Sequence, residues 1–246
     1  MIYISHLIDD IEMKEILSKG LLGIESIEFS IGENLDKGLS CIEAYRKRME
    51  KMECGELTIH GPFLDINPVS FDSLVRSASR KRFEMSYEAG EALGAEKMIC
   101  HTCMLPGIYY LEGWSDMMAE FWKEFLKDKG KMKFCLENVL DEEYKPIAEV
   151  IEKVSDPRLG ICLDIGHANC YSPYSVMEWV NSLGKYITHV HVHDNNGIKD
   201  QHLALGRGNI PAEELIKEIK KHNPKVDWTI ECTTKDAVLE TIKYLI

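Results

Sequence analysis

Carboxylate and imidazole side chains recur along the chain at intervals of 27 to 41 residues, about one strand and one helix apart. They are His60, His101, Glu137, Asp164, His191 and Glu231. Several end an apolar run, as in F-C-L-E and I-C-L-D, where an unpartnered charge is costly. Mixed imidazole and carboxylate ligands without thiolates suit zinc, manganese, cobalt or iron, with magnesium at a carboxylate-rich corner. The pattern predicts a divalent-metal site, provided that the fold brings these residues together.

Three further side chains of the same types lie just beyond predicted strand ends. His167 stands in D-I-G-H, and Asp200 and His202 stand two apart in K-D-Q-H. With them the predicted set contains four carboxylates and five imidazoles, enough for one to three ions per chain. His189, His191 and His193 share one strand face, so at most two of them reach the metal. We expect His191 to do so, with His193 as the alternative.

Candidate substrate contacts are fewer and less specific. Arg207 follows the Asp200 and His202 loop within G-R-G, where the N–H groups of Gly206 and Gly208 would help it to hold a phosphate or a sugar oxygen. His167 is a second candidate for substrate contact, and His6 ends the first predicted strand. Tyr109 lies in the loop after the fourth strand, either as a pocket wall or as a packed loop residue.

The predicted strands and helices that must position these residues alternate regularly along the chain. The predicted strands are residues 2–5, 24–29, 57–60, 97–102, 133–138, 159–165, 187–193 and 228–232, and the predicted helices are about 10–18, 37–52, 71–93, 114–128, 141–154, 173–183, 211–222 and 234–245. Eight strand–helix units predict a (β/α)8 TIM barrel, an α/β fold, as a single domain over residues 1–246. A doubly wound sheet would usually show fewer strands or a glycine fingerprint, and the sequence contains no G-x-G-x-x-G.

The barrel prediction explains how residues distant along the chain can meet. The carboxyl ends of parallel barrel strands converge on one face, where active sites are built. Strand alternation adds that His60, His101, Glu137, Asp164 and Glu231 face the barrel axis, while Ile59, Leu136, Leu163 and Ile230 face the helices.

Composition narrows the class of partner. The 246 residues carry a formal charge of -12, which argues against a surface that gathers nucleic acid or anionic lipid by bulk attraction. No apolar run approaches the ~18 residues of a membrane span, and the first residues do not resemble a signal peptide. We therefore expect a cytoplasmic protein without a membrane partner. The eight cysteines are predicted to be packing residues, and the sequence leaves the oligomeric state open.

Several motifs between residues 59 and 232 resemble a known family. They are I-H-G-P-F, I-C-H-T, C-L-E-N-V, L-D-I-G-H-A-N, H-V-H-D-N-N-G-I-K-D-Q-H-L-A-L-G-R-G-N-I and I-E-C. They resemble the xylose isomerase-like barrels, which group endonuclease IV with sugar and sugar-phosphate isomerases and epimerases. The resemblance implies a metal held by Glu137, Asp164, His191 and Glu231, with His167 close by. In the endonuclease branch it implies a trinuclear zinc cluster, for which His60, His101, His167, Asp200 and His202 match the remaining ligand positions.

Two reactions follow from the resemblance. In an isomerase or epimerase of a sugar or sugar phosphate, zinc or manganese would stabilise an ene-diolate, and Glu137 and Glu231 would pass a proton off and onto adjacent carbons. In an apurinic/apyrimidinic endonuclease, clustered zinc ions would hydrolyse a phosphodiester of nucleic acid. The charge of -12 and the short loops expected after the strands favour the sugar enzyme, whereas the complete set of nine ligands favours the nuclease. A non-catalytic metal-binding barrel is the third reading.

Overall fold

Eight parallel strands form a closed barrel in a computed structural model of the chain that describes residues 1–20 and 22–246. Each strand pairs with the next along the sequence, and β8 closes the barrel by pairing with β1. The strands are β1 (Ile2–Ser5), β2 (Leu22–Ser26), β3 (Leu57–His60), β4 (Lys97–His101), β5 (Lys133–Glu137), β6 (Leu159–Asp164), β7 (Ile187–Val192) and β8 (Asp227–Ile230). This order confirms the predicted (β/α)8 TIM barrel.

Helices connect the strands and cover the barrel. They are α1 (Asp10–Leu17), α2 (Gly32–Asp36), α3 (Leu39–Met52), α4 (Ser73–Leu93), α5 (Trp114–Leu126), α6 (Lys145–Val154), α7 (Ile165–Tyr171), α8 (Val176–Leu183), α9 (Ala212–His222) and α10 (Lys235–Leu245). Local signals begin and end several of them. Asp72 accepts hydrogen bonds from the N–H groups of Leu74 and Val75 at the start of α4, and Gly94 ends that helix with a φ of 76°. In the described residues, no helix is both long enough and apolar enough to cross a membrane.

The alternation of side chains along the strands places two separate apolar groups. Ile99, Cys135 and Cys162 form a small buried cluster inside the barrel. Ile59 and Leu136, one position away on their strands, belong to the larger core between the barrel and the helices. The predicted inward and outward faces are therefore correct, so a residue two positions beyond Cys135 or Cys162 also points into the barrel.

Three features differ from the sequence prediction. Strand β2 ends at Ser26 because the chain turns into a short 3-10 helix, Glu28–Ser30, where the strand was expected to continue. Helices α2 and α7 were not predicted. Helix α7 starts directly after β6 because the Asp164 carboxylate accepts the N–H of His167. The loops after β3, β4 and β7 are not short: they run over 61–72, 102–113 and 193–211.

Candidate metal centre

Glu137, the last residue of β5, lies at the centre of a cluster of imidazoles. Its Oε2 is 3.3 Å from Nε2 of His60 and 3.5 Å from Nε2 of His101, which end the two preceding strands. Its Oε1 is 3.0 Å from Nδ1 of His191. The carboxyl group is 1% exposed, so all three contacts are made in an interior with little water.

Asp164 forms the next part of the cluster at the end of β6. Its Oδ1 is 3.2 Å from Nε2 of His193, and its Oδ2 is 3.4 Å from Nδ1 of His167. The backbone of Asp164 is fixed by Asn138, whose side chain donates to the carbonyl of Asp164 and accepts from its N–H, both at 2.9 Å. The C-L-E-N segment therefore supplies a ligand candidate, Glu137, and the residue that holds the neighbouring strand end.

Asp200 and His202 extend the cluster from the loop after β7. The Asp200 carboxylate lies 3.3 Å from Nε2 of His167, 3.4 Å from Nδ1 of His193 and 3.0 Å from Nε2 of His202. His202 adopts a φ of 49°, in the left-handed region that non-glycine residues rarely occupy. Its Nδ1 donates to the backbone carbonyl of Glu231 at 2.6 Å. This strained conformation directs the ring back toward the barrel.

Glu231, which directly follows β8, closes the ring of contacts. Its Oε1 is 3.3 Å from Nδ1 of His191, the nitrogen that also contacts Glu137. The structure thus brings together all nine predicted side chains, from His60 to Glu231. His191 and His193 both join the cluster, His191 beside Glu137 and His193 beside Asp200, so the two alternatives do not exclude each other. The role of these residues as metal ligands stays a prediction.

Burial and the neighbouring charges shift the pKa values of the carboxyl and imidazole groups in the cluster. Burial raises the pKa of the Glu231 carboxyl, and the nearby carboxylates Glu137 and Asp164 add to that rise. Burial alone would also raise the pKa of Glu137, but His191 and His101 outweigh it and hold that pKa well below its usual value. In the same way Asp164 and Asp200 overcome burial and raise the pKa of His167 to about 10. Paired carboxyl groups with opposite shifts are typical of an acid and a base acting at one site.

The donor set fits a divalent transition metal. Four groups of three residues within it offer ligand atoms that lie within 4.8 Å of one another: His60, His101 and Glu137; Glu137, Asp164 and His191; Asp164, His167 and His193; and His193, Asp200 and His202. Buried atoms without a hydrogen-bond partner among the described residues include Oε2 of Glu137, Nδ1 of His193 and Oδ1 of Asp200. Buried polar atoms normally have a hydrogen-bond partner, and a bound ion is one explanation for those that lack it. Imidazole with carboxylate suits zinc or manganese.

Tyr109 lies beside this cluster, in the wall of a cavity. The cavity has a volume of about 320 Å3 and is bordered by His101, Phe63, Met104 and Tyr109. The Phe63 ring packs against His101, with 4.7 Å between centroids, so the cavity opens directly next to one of the candidate ligands. Of the two alternatives, pocket wall and packed loop residue, this position favours the pocket wall.

Arg207 is not brought to the cluster, contrary to the expected anion contact. Its guanidinium pairs with both carboxylate oxygens of Glu240 on α10, at 2.9 and 3.0 Å, and its side chain is 65% exposed. The N–H groups of Gly206 and Gly208 donate instead to Oδ2 of Asp194, each at 2.9 Å. The buried Asp194 carboxylate therefore takes the two N–H groups that were expected to help hold an anion. A contact between Arg207 and a substrate stays a prediction that these contacts do not favour.

His6 belongs to a separate polar group at the ends of β1 and β2. Its Nδ1 is 2.9 Å from the Tyr45 hydroxyl, and its Nε2 is 3.1 Å from Asp10, which forms an ion pair with Arg48. These partners take both ring nitrogens of His6. A contact between His6 and a substrate stays a prediction that these contacts do not favour.

Sequence reasoning missed Glu25, a fully buried carboxylate on β2 whose Oε1 lies 3.0 Å from Nε2 of His191. The signal that singled out Glu137, a charge inside an apolar strand, is also present in L-G-I-E-S. The predicted strand ends at residue 29, three positions beyond Ser26, so Glu25 was expected to lie away from the barrel mouth.

Known proteins resemble this chain in sequence and in structure. The family model described as xylose isomerase-like TIM barrel matches residues 21–246. An uncharacterised protein of Methanocaldococcus jannaschii, MJ1311, is 33% identical over 183 residues, which are 68% of this chain and 60% of that protein. A probable endonuclease 4 of Mycobacterium leprae is 27% identical over 196 residues, 73% of this chain and 75% of that protein.

Solved structures with the same architecture include sugar epimerases and a protein soaked with zinc. A D-tagatose 3-epimerase-like protein superimposes with a TM-score of 0.79 at 25% identity, covering 99% of this chain and 96% of the other. Protein TTHB071 of Thermus thermophilus, soaked with ZnCl2, gives 0.76 at 20% identity over 99% and 97%. D-psicose 3-epimerase of Clostridium cellulolyticum H10, solved with D-tagatose, gives 0.78 at 15% identity over 99% of both chains.

Proposed function

Because the chain belongs to the xylose isomerase-like TIM barrel family, we propose that it is a metal-dependent isomerase or epimerase. Its substrate in this proposal is a neutral, open-chain sugar rather than a sugar phosphate. The family includes enzymes of sugar conversion, and the solved D-tagatose 3-epimerase-like protein shares the fold over nearly the whole chain. The cluster centred on Glu137 supplies the acid, base and ligand groups that such a reaction needs.

The observation that carries the proposal is the cavity beside His101. Its volume of about 320 Å3 suits a small molecule, and its walls are mainly apolar and aromatic, among them Phe63, Met104 and Tyr109. None of its described lining residues is Lys or Arg, and its one carboxylate is Asp65. A phosphate group would meet a negative charge there without a compensating cation. Arg207, the expected phosphate contact, is held by Glu240.

Glu137 and Glu231 are the proposed proton-transfer residues. Both approach Nδ1 of His191, at 3.0 and 3.3 Å, from strands on two sides of the barrel mouth. The pKa of Glu137 is lowered and that of Glu231 is raised, so the two carboxyl groups differ in their affinity for a proton. A substrate carbon between them would lose its proton to Glu137 and receive one from Glu231 on the opposite face.

In the proposed centre Glu137, Asp164, His191 and Glu231 hold the metal. A bound divalent cation supplies Lewis acidity, which polarises the carbonyl and hydroxyl oxygens of the substrate. His167 donates its Nδ1 proton to the carbonyl of Asn138 at 3.0 Å, and its Nε2 lies 3.3 Å from Asp200, so it orients this carboxylate at the centre. The walls around Phe63 exclude water from the reacting carbons.

The test is solvent exchange during turnover. Protein loaded with Mn²⁺ or Zn²⁺ is incubated in D2O with D-tagatose, D-psicose and a panel of unphosphorylated aldoses and ketoses. The expected result is deuterium at the carbon next to the carbonyl in the product. Glu137→Gln and Glu231→Gln are expected to lower the rate by ~10²-fold or more, whereas Glu142→Gln, an exposed control, leaves it unchanged. Product without deuterium would disprove the proton-transfer mechanism.

Cleavage of abasic DNA is the second candidate, and one observation favours it. The structure brings together all nine residues that match the endonuclease IV ligand set, more than one metal ion requires. The described cavity walls lack the cations that a phosphodiester backbone needs, which places this function second. Incubation of the zinc-loaded protein with an abasic duplex separates the two: cleavage at the abasic site supports the nuclease, and an intact duplex excludes it.

A further inference from the structure

Glu25 on β2 is a fully buried carboxylate with a defined set of partners. Its Oε2 accepts the hydroxyl of Thr58 at 3.1 Å and that of Thr229 at 2.8 Å. These threonines stand on β3 and β8, so the carboxylate is fixed from both sides by neighbouring parts of the barrel wall. A buried carboxylate without such donors would be strongly destabilising. The two threonine hydroxyls stabilise the charge of Glu25 and fix the orientation of its carboxylate.

The second oxygen of Glu25 reaches across the inside of the barrel. Its Oε1 lies 3.0 Å from Nε2 of His191 on β7, a strand that does not pair with β2. Neither atom has a hydrogen-bond partner among the described residues, so the two lie within reach of each other without a formed hydrogen bond. The other ring nitrogen, Nδ1, faces the proposed metal centre, 3.0 Å from Glu137 and 3.3 Å from Glu231.

The two ring nitrogens of His191 have different roles at a metal centre. A neutral imidazole carries one N–H and one lone pair, and a metal ligand must present the lone pair to the cation. With carboxylates on both sides, the ring needs one fixed proton position. Metal-binding histidines commonly donate the remaining N–H to a carboxylate, which sets the tautomer and the ring orientation.

We propose that Glu25 is a positioning residue of the metal centre: it accepts the Nε2 proton of His191 and so keeps the Nδ1 lone pair directed at the cation. The inference rests on the proposed metal centre, but it does not depend on which reaction the metal serves. Glu25 acts through His191 and contacts no substrate.

The substitution Glu25→Gln tests this arrangement with little change of volume. Because the Thr58 and Thr229 hydroxyls both donate to Oε2, the Gln carbonyl oxygen takes that position. The amide NH2 then faces Nε2 of His191, which must accept and therefore keep its lone pair there. The proton moves to Nδ1, and the nitrogen that faces the centre loses its capacity to bind a cation.

The experiment measures zinc affinity and the His191 tautomer at one fixed pH. Zn²⁺ is titrated against a chromophoric chelator with wild-type protein, Glu25→Gln and the control Ser5→Ala. Ser5 pairs with Glu25 in the β1–β2 register, and its buried hydroxyl has no hydrogen-bond partner in the described structure. We expect zinc to bind Glu25→Gln ~10- to 100-fold more weakly and Ser5→Ala as tightly as wild type. Urea unfolding of the metal-free proteins serves to correct for lost stability.

Imidazole ¹⁵N spectra of the zinc-loaded wild type give the second readout, with His191→Gln to assign the signals. The proposal expects the His191 proton on Nε2. A proton on Nδ1 would overturn it, as would equal zinc affinities of wild type and Glu25→Gln. If Glu25→Gln does not fold, the wild-type spectrum decides alone. Absence of deuterium exchange with sugars would count against the proposed reaction but would leave both of these measurements valid.

Discussion

The imidazole rings of His193 and His202 lie stacked, with 4.0 Å between their centroids and 13° between their planes. Asp200 contacts both rings, at 3.4 and 3.0 Å. The stack joins the end of β7 to the long loop that follows it, so two parts of the candidate centre depend on one packing contact. Gly166 packs directly against the His193 ring.

Gly166→Ala is expected to disrupt this stack. An added Cβ would come within 1.9 Å of Cε1 of His193, closer than any unstrained contact, so the ring must move away from Asp164 and Asp200. We expect a loss of ~1–3 kcal/mol in the free energy of unfolding and weaker zinc binding. Gly55→Ala, where no atom lies within 4 Å of the added Cβ, is the control in urea unfolding and zinc titration. Equal zinc affinities would show that the stack does not position the site.

Asp194 organises the loop that carries Asp200 and His202. Besides Gly206 and Gly208, its carboxylate accepts the N–H groups of Asn195 at 2.8 Å and Ile210 at 3.2 Å. Asp194→Ala leaves four N–H donors without an acceptor, two of them buried, and we expect the free energy of unfolding to fall by ~3–5 kcal/mol. Asp194→Asn keeps one acceptor oxygen but loses the charge. Its free energy of unfolding, measured by urea denaturation, should lie between those of the wild type and Asp194→Ala. A loss below about 1 kcal/mol for the alanine variant, the size of one ordinary hydrogen bond, would contradict this role.

Stability should depend on pH through Asp141. Burial raises the pKa of this carboxyl from 3.8 to about 6, although Thr102 and the N–H of Val139 donate to it. The folded protein therefore binds the proton more tightly than the unfolded chain, and stability falls as the pH rises from about 4 to about 6. Above that range the carboxylate is ionised in both states and the full penalty, on the order of 2–3 kcal/mol, is present.

Asp141→Asn removes this titration while keeping an acceptor oxygen. It should be more stable than wild type at pH 8, and the difference should vanish near pH 4. Urea unfolding of both proteins across this range measures the effect, since the titration of all other groups cancels in the difference. Parallel stability curves for the two proteins would show that Asp141 titrates normally.

Metal content distinguishes a single ion from a cluster. If Glu137, Asp164, His191 and Glu231 hold one ion, His101→Ala retains about one divalent ion per chain by elemental analysis, whereas Asp164→Asn loses it. With three ions per chain, His101→Ala would lose part of the metal and keep the rest. The first pattern is the expectation for the proposed sugar enzyme, and the second would move the assignment to phosphodiester cleavage.

The positions of the candidate ligands could be predicted because they follow from strand alternation and barrel closure alone. Glu137 and Asp164 are charges that end apolar strands, and the convergence of parallel strand ends brings such residues together whatever their spacing in sequence. The geometry of Arg207 could not be predicted in this way. Arg207 pairs with Glu240, and the neighbouring N–H groups bind Asp194, because of the way the loop packs. No short sequence motif predicts that packing.

Glu25 shows the same limit within a strand. The predicted strand contains Glu25 but ends at residue 29 instead of Ser26, which placed Glu25 away from the carboxyl end where barrel active sites are built. Helix α7 was not predicted because it begins at Ile165, directly after the last residue of β6, with no loop to mark its start.

The candidate ligands come from six strand termini and from two segments that follow them, spread over positions 60 to 231. A single cation bound among them would act as a cross-link between β5, β6, β7 and the residue after β8, the half of the barrel that contains the closing strand. Such a clamp favours the closed cylinder over every opened form by mass action. Removal of the cation by a chelator should therefore destabilise these strands before the rest of the barrel. The increase in their amide hydrogen-exchange rates would measure how much the cation stabilises the closed barrel.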